Sequence, residues 1–152
     1  RTPAFVLQLT SIVQAAVDYS VTENVLSVTG LRPQASWDRI GRYAWVAGDQ
    51  GAGAWLGLHF GLWKSHGATP LWLLFSETNF GRAQDVSRLI EPWAEKNGML
   101  TTTINRDFAI GLNIPIGEEK AGVIRSLADS LKTIANVLAV LPRRTLSIVE
   151  DE

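Results

Sequence analysis

The sequence predicts an α+β domain in which helices pack on an antiparallel β-meander and hairpin. Apolar residues alternate with a period of two in the middle of the chain, and they recur with helical spacing near both ends. Only short, turn-like segments separate the predicted strands, and short links join antiparallel neighbours. The predicted order of elements is α-β-β-β-α-β-β-α.

A first helix is predicted from residue 4, because one set of apolar residues has helical spacing: Phe5, Leu9, Ile12, Val13, Ala16 and Val17. Residues 21–29 leave two alternatives open. Val25 and Val28 extend the helical stripe, and Gly30 followed by Pro33 has the form of a helix stop. The β-branched residues of this segment also allow a strand. We favour one long helix that ends near Val28.

Three strands of a meander are predicted at residues 40–47, 54–63 and 71–76. The glycine-rich segment 48–53 and the turn 65–70 connect them. The middle strand has the clearest alternation, which places Leu56, Leu58, Phe60 and Leu62 on one face and Trp55, Gly57, His59, Gly61 and Trp63 on the other.

The second half of the chain is predicted to add a helix at 82–96, strands at 99–104 and 108–114, and a helix from Glu118 to Pro142. Pro92 inside the first of these helices indicates a kink or two shorter pieces. The first helix and the apolar stripe of the last helix are expected to offer surplus surface to a partner; that stripe contains Leu127, Leu131, Ile134 and Leu138.

A single domain is expected over residues 1–142, with a loose tail at 143–152. The chain begins at Arg1 without an initiator Met, so we expect it to be cut from a longer protein. The longest apolar runs, 71–75 and 137–141, are too short to span a bilayer.

The composition excludes several classes of function. Fourteen Lys and Arg against 15 Asp and Glu give a net charge of −1, which disfavours nucleic-acid binding by overall charge. The absence of Cys removes disulfides, thiolate nucleophiles, Cys-zinc sites and iron–sulfur ligation. It also fits a cytoplasmic protein, and we expect that localisation and no membrane partner.

An aromatic face is the main candidate for a ligand or partner surface. The chain has six Trp, and small residues lie between several of them on the predicted meander. We favour burial of this face under the first or last helix, because an open apolar patch of this kind is a liability. A partner interface and slots for a ligand stay open as alternatives. The candidate residues are Tyr43, Trp45, Trp55, Gly57, His59, Gly61, Trp63 and Trp72.

Motifs for cofactors are present only as fragments. The glycines of residues 48–53 are spaced GxxGxG and precede a strand, whereas the dinucleotide fingerprint is GxGxxG and opens a helix. Lys64-Ser65 lacks the glycine that precedes Lys in a phosphate-binding loop. His59 and His66 have no third ligand at a metal-binding spacing, so no metal site is predicted.

The order α-β-β-β-α-β resembles the core of the PD-(D/E)XK nuclease superfamily. The resemblance implies an acidic residue near the second strand and an acidic-x-Lys triplet on the third, which hold magnesium and position the attacking water. Asp49 lies just before the second predicted strand. The third strand contains no such triplet, and Glu77 and Lys64 are its only stand-ins.

A second resemblance is to the C-terminal region of uncharacterised bacterial proteins, some of which look nuclease-related. It covers roughly residues 37–140. The segments that carry it are Gly41-Arg42-Tyr43, a strand with Trp63 near its end, Gly67-Ala68-Thr69-Pro70-Leu71-Trp72-Leu73 and Asn113-Ile114-Pro115-Ile116-Gly117. This resemblance implies an accessory domain of a larger bacterial protein and no known activity.

The resulting hypothesis is a non-catalytic domain for protein interaction, oligomerisation or regulation inside a larger bacterial protein. Its partner would be another protein or a second copy of the chain. One alternative is an atypical nuclease that acts on nucleic acid through Asp49, Glu77 and Lys64 with magnesium. Another is a small-ligand module on the aromatic face.

Overall fold

The computed structural model describes residues 4–142. Its helices are α1 (Ala4–Thr22), α2 (Phe60–His66), α3 (Glu77–Phe80), α4 (Ala83–Lys96) and α5 (Lys120–Leu138). Its strands are β1 (Leu26–Ser27), β2 (Pro33–Ser36), β3 (Arg39–Val46), β4 (Ala52–His59), β5 (Leu71–Phe75), β6 (Thr101–Ile104) and β7 (Asp107–Gly111). They form one seven-stranded antiparallel sheet of order β1-β3-β4-β5-β7-β6, and β2 pairs with β3 off this path. The α+β class with helices packed on the sheet is confirmed.

The main core lies between the sheet and the long helices α1, α4 and α5. Leu56, Leu58, Leu73 and Ile110 supply the sheet side of this core. The expectation of surplus apolar surface on the last helix is wrong, because α5 buries its whole stripe against α1 and the sheet: Leu127, Leu131, Ile134 and Leu138.

The favoured long helix over residues 21–29 is also wrong. α1 ends at Thr22, and Asn24 adopts a left-handed conformation with φ of 62°. Leu26 then pairs with Val46 in β1, and the carbonyl of Val25 accepts a hydrogen bond from the N–H of Ala47 at 2.9 Å. Asn tolerates the left-handed region better than most residues, so the chain leaves the helix here and α1 ends eight residues before Gly30.

The predicted middle strand is too long at its C-terminal end. β4 stops at His59, and residues 60–66 form α2 instead of continuing the sheet. The Nδ1 atom of His59 accepts a hydrogen bond from the N–H of Leu62 at 3.1 Å, which caps the new helix. Gly67, with φ of 71°, ends it. Leu62 therefore lies on the face of Trp55 and not on that of Leu56.

The second half of the chain follows the prediction more closely. The β6–β7 hairpin turns at Asn105, which has φ of 58°. α4 runs through Pro92 as one element, so the predicted division into two pieces does not occur. Pro92 is exposed, and the carbonyl that loses a hydrogen-bond donor at a proline can be hydrated on such a face. The short elements β2, α2 and α3 were not predicted.

α1 is the one helix among residues 4–142 that is long and apolar enough to cross a membrane. A core helix and an N-terminal signal sequence satisfy the same length and hydropathy requirements. In this fold its residues Leu9, Ile12 and Val17 are buried, and the ammonium of Lys120 on α5 donates to the hydroxyl of Ser11 at 3.2 Å.

Candidate functional site

The aromatic face, defined by Tyr43, Trp45, Trp55 and Trp72, lies on the sheet side opposite the long helices. Leu62 of α2 packs with Trp55 and Trp72. The covering helices are α2 and α3, not the first or last helix as expected. The ring of Phe80 in α3 makes edge contacts with the rings of Tyr43 and Trp45 at centroid distances of 6.0 and 5.2 Å.

Each buried indole of this face donates its N–H to a backbone carbonyl. Trp45 donates to Thr29 at 3.0 Å. Trp55 donates to Gln34 at 3.2 Å, and Trp72 donates to Thr69 at 2.7 Å. A buried tryptophan needs such an acceptor because its indole N–H is a hydrogen-bond donor. These three side chains therefore stabilise the fold and do not present their N–H groups to a ligand.

The glycines of the aromatic face allow close approach of backbone and rings. A Cβ atom added at Gly41 would lie 2.7 Å from the ring of Trp55, and one at Gly111 would lie 3.3 Å from the ring of Trp72. Gly57 faces Gly41 directly across β3 and β4. The rings rest on these backbone positions, so the gaps between the tryptophans are closed by the sheet itself.

The alternative of ligand slots between Trp55 and Trp63 is not supported by the structure. Trp63 and Gly61 belong to α2 and not to the sheet. The ring of Trp63 instead lies 6.3 Å from that of Phe5 in α1. The small-ligand hypothesis required Trp55 and Trp63 to lie on one face of the same strand, and they do not.

His59 is buried, at 2% exposure, between the end of β4 and the start of α2. Its ring stands perpendicular to that of Trp55 at 6.1 Å, and the guanidinium of Arg39 lies 5.4 Å from the centre of the Trp55 ring. Its Nε2 atom has no hydrogen-bond partner within the part of the chain that the structure describes. Burial, together with the charge of Arg39, lowers the pKa of His59 below its ordinary value of 6.5, and Asp38 opposes this shift.

Stability is expected to fall as His59 becomes protonated on acidification. The unfolded chain takes up this proton near pH 6.5 and the folded chain only at lower pH, so the unfolded state binds more protons between the two pKa values. The free energy of unfolding should then decrease by at most about 1.4 kcal/mol per pH unit in this window. Protonation also removes the acceptor that caps α2.

The matched variant for this prediction is His59→Asn, because the Asn side-chain oxygen can still accept from Leu62 while it does not titrate. Urea denaturation at a series of pH values from about 5 to about 8 measures both proteins. We expect the variant to lose the extra slope below pH 6.5. Equal slopes for the two proteins would show that His59 does not carry this dependence.

The three residues of the nuclease hypothesis do not share one cleft. Asp49, in the β3–β4 turn, and Glu77, which follows β5, lie at the same end of the sheet, whereas Lys64 lies on α2 beyond the opposite end of β4. The eight residues of β4, which span about 26 Å, lie between Lys64 and the end of the sheet that carries the two carboxylates. Asp49 accepts a hydrogen bond from Ser27 at 3.2 Å, and the carboxylate of Glu77 accepts one from the N–H of Ala83 at 3.0 Å. No group of three His, Asp or Glu side chains in residues 4–142 is arranged to hold a metal ion.

The tip of the β2–β3 hairpin carries the most exposed tryptophan of the fold. Trp37 is 93% exposed, in a two-residue turn between Ser36 and Arg39. The hydroxyl of Ser36 donates to the carboxylate of Asp38 at 2.9 Å, and Asp38 also forms an ion pair with Arg39 at 3.5 Å. These side-chain contacts stabilise the turn, while Trp37 projects into solvent.

Beside this hairpin, an apolar cavity of about 220 Å³ separates α1 from β2 and β3; we call it the edge slot. Val13 and Val17 of α1 form one wall, and Ala35 and Ile40 of the hairpin form another. Leu56 and Leu58 of β4 lie among the lining residues. The polar residues at the slot are Thr10, Gln14 and Arg42.

Neither Trp37 nor the edge slot is among the candidate residues that the sequence indicated. The available signal was the segment Ser36-Trp37-Asp38, because Ser and Asp favour turns and a large apolar residue between them is out of place. The slot has no such signal, since it arises from α1 and three strands that meet only in the folded chain.

Comparison with known proteins adds no family to this picture. No protein-family description, curated protein or solved structure matches the chain. The residues described above are therefore the basis on which a function is proposed.

Proposed function

We propose that the chain is a non-catalytic protein-interaction domain that binds its partner through the tip of the β2–β3 hairpin and the adjoining edge slot. The observation that supports this proposal is the contrast among the tryptophans. Three tryptophans are buried with their N–H groups hydrogen-bonded: Trp45, Trp55 and Trp72. Trp37, in contrast, is 93% exposed on a turn that the contacts of Asp38 stabilise.

The physics of interfaces favours this use of Trp37. Tryptophan is enriched among the residues that contribute most to binding, because it buries a large apolar area with few rotatable bonds. The contacts of Asp38 with Ser36 and Arg39 hold the turn before any partner arrives. A preorganised turn loses less conformational entropy on binding than a flexible loop. The nearby slot adds apolar surface beside the tip.

Photo-crosslinking tests the proposal in cells that make the protein. A photoreactive phenylalanine, p-benzoylphenylalanine, replaces Trp37 in one version of the protein and Gln84, which is exposed on α4, in the control version. We expect irradiation to produce one covalent adduct of discrete mass from position 37 and none from position 84. Mass spectrometry then identifies the captured protein, which is either a second copy or another species.

Two results would contradict the interaction proposal. One is the absence of a protein adduct at position 37. The other is the same diffuse set of adducts at both positions, because a specific interface would distinguish the hairpin tip from the surface of α4.

A further inference from the structure

We infer that the partner is a second copy of this chain, and that Trp37 of each copy inserts into the edge slot of the other. The inference rests on the proposed function and adds the identity of the partner. The same hairpin provides both halves of the contact, since Trp37 lies at its tip and Ala35 and Ile40 line the slot. The chain thus displays an apolar projection and an apolar recess within a few residues of each other.

The edge slot has the size of a site for one side chain. Its volume of about 220 Å³ is smaller than the clefts that enclose a typical small-molecule ligand, which hold about 300–1,000 Å³. The side chains that line it are predominantly aliphatic: Val13, Val17, Ala35, Ile40, Leu56 and Leu58. Such a recess favours a large apolar side chain, and Trp37 is the largest apolar side chain that this surface exposes.

The side-chain donors of the slot are already engaged within the chain. The hydroxyl of Thr10 donates to Val6 at 2.8 Å, and the side-chain amide of Gln14 donates to Asp18 at 2.8 Å. The guanidinium of Arg42 donates to the carbonyls of Tyr43 and Leu31, each at 3.1 Å. A polar ligand would have to compete for these donors, whereas an indole ring would not. The Gln14 side chain also carries a carbonyl oxygen, a group that can accept a hydrogen bond from the indole N–H of an inserted Trp37.

The charged groups beside the projection and the recess are already compensated within each chain. Asp38, which adjoins Trp37 at the tip, forms an ion pair with Arg39 at 3.5 Å. Arg42 on the wall of the slot donates to two backbone carbonyls. Insertion of Trp37 into a second copy therefore buries apolar surface without leaving an unpaired charge at the contact, which would be costly.

A two-fold axis beside the hairpin would allow Trp37 of each copy to insert into the edge slot of the other copy at the same time. In such an isologous interface the same patch is used by both copies, so each Trp37 enters the slot of the other chain. A head-to-tail arrangement would use one contact per interface and would extend into a chain of copies. The two-fold arrangement buries two tryptophans, and we therefore expect a dimer that dissociates in the micromolar range or above, as small interfaces do.

Complementation between two defective variants tests the inference. Trp37→Ala removes the projection and leaves the slot, whereas Ala35→Lys blocks the slot and leaves the projection. Sedimentation equilibrium of each purified variant should show a dissociation constant at least about thirtyfold higher than that of the unmodified chain. A mixture of the two variants should recover a dimer of intermediate affinity, because the mixed pair retains one of its two contacts.

The mixture distinguishes insertion from other modes of self-association. If two copies of Trp37 stack on each other instead, Ala35→Lys alone associates as the unmodified chain does, mixing it with Trp37→Ala adds no mixed dimer, and the inference is wrong. Val13→Phe, which fills the slot from α1, repeats the test if Ala35→Lys lowers the melting temperature. The inference is overturned if neither slot variant forms a mixed dimer with Trp37→Ala while the melting temperatures of all variants are unchanged.

The proposed function and the inference fail separately. A monomeric unmodified chain whose position 37 is crosslinked to a different protein refutes the second copy as partner and keeps the interaction domain. A monomeric chain without any adduct at position 37 refutes both.

Discussion

Replacing Trp72 with Ala is expected to lower the free energy of unfolding by about 3–5 kcal/mol. Trp72 is fully buried, its N–H is bonded to Thr69 at 2.7 Å, and its ring covers Gly111 of the neighbouring strand β7. Removal of the ring leaves a cavity under α2 and an unpaired carbonyl. Domains of this size are stable by only about 5–15 kcal/mol, so urea denaturation will show the loss directly.

The control for this experiment is the same substitution at Trp37. Its side chain is 93% exposed, and surface substitutions of this kind change stability by less than about 0.5 kcal/mol. Similar losses for Trp37→Ala and Trp72→Ala would contradict the division of the tryptophans into structural residues and an interaction residue.

Replacing Gly57 with Ala is the second change with a large expected effect. The added Cβ would lie 2.2 Å from the carbonyl oxygen of Ile40 and 2.5 Å from the Cα of Gly41. Both are backbone atoms of β3, so relief of the clash requires the two central strands to separate. We expect a loss of about 3 kcal/mol, at the upper end of the usual cost of overpacking, and thermal unfolding measures it.

Gly122→Ala provides the matched control, with the opposite sign. Its new Cβ would meet the carboxylate end of Glu118 at 2.5 Å, and that flexible side chain can move aside. Gly122 lies within α5, where Ala is more favourable than Gly by about 1 kcal/mol. We expect Gly122→Ala to leave stability unchanged or raise it. Equal destabilisation at both glycines would show that close strand approach is not the reason for Gly57.

The sequence was informative where one periodicity extends over a whole element. The meander of β3, β4 and β5, the hairpin at Asn105 and the long helix α5 are all present near their predicted positions. In these segments burial on one face repeats at the spacing of the element, so local pattern and tertiary packing favour the same structure.

The errors lie where one residue changes the backbone within an apolar run. Asn24 ends α1 through a left-handed conformation, although Val25 and Val28 continue its stripe. His59 ends β4 because its imidazole caps α2, although the alternation continues to Trp63. Periodicity does not register such local hydrogen bonds, and the tertiary fold decides which of two compatible patterns is used.

The candidate site was predictable only in part. Alternation correctly placed Tyr43, Trp55 and Trp72 on one face of the sheet, together with Gly57. Their burial depended on α2 and α3, which are too short to give a clear helical period. The exposed Trp37 and the edge slot depend on the position of a four-residue strand, β2, against β3 and α1.

The central claim is that Trp37 binds a second copy of the chain while the buried tryptophans hold the fold. The most direct test is sedimentation equilibrium of the unmodified chain and of Trp37→Ala, with the melting temperature of each measured in parallel. We expect the unmodified chain to dimerise and the variant to lose this association at an unchanged melting temperature. A variant that associates as the unmodified chain does, or that loses association only because its melting temperature falls, would contradict the claim.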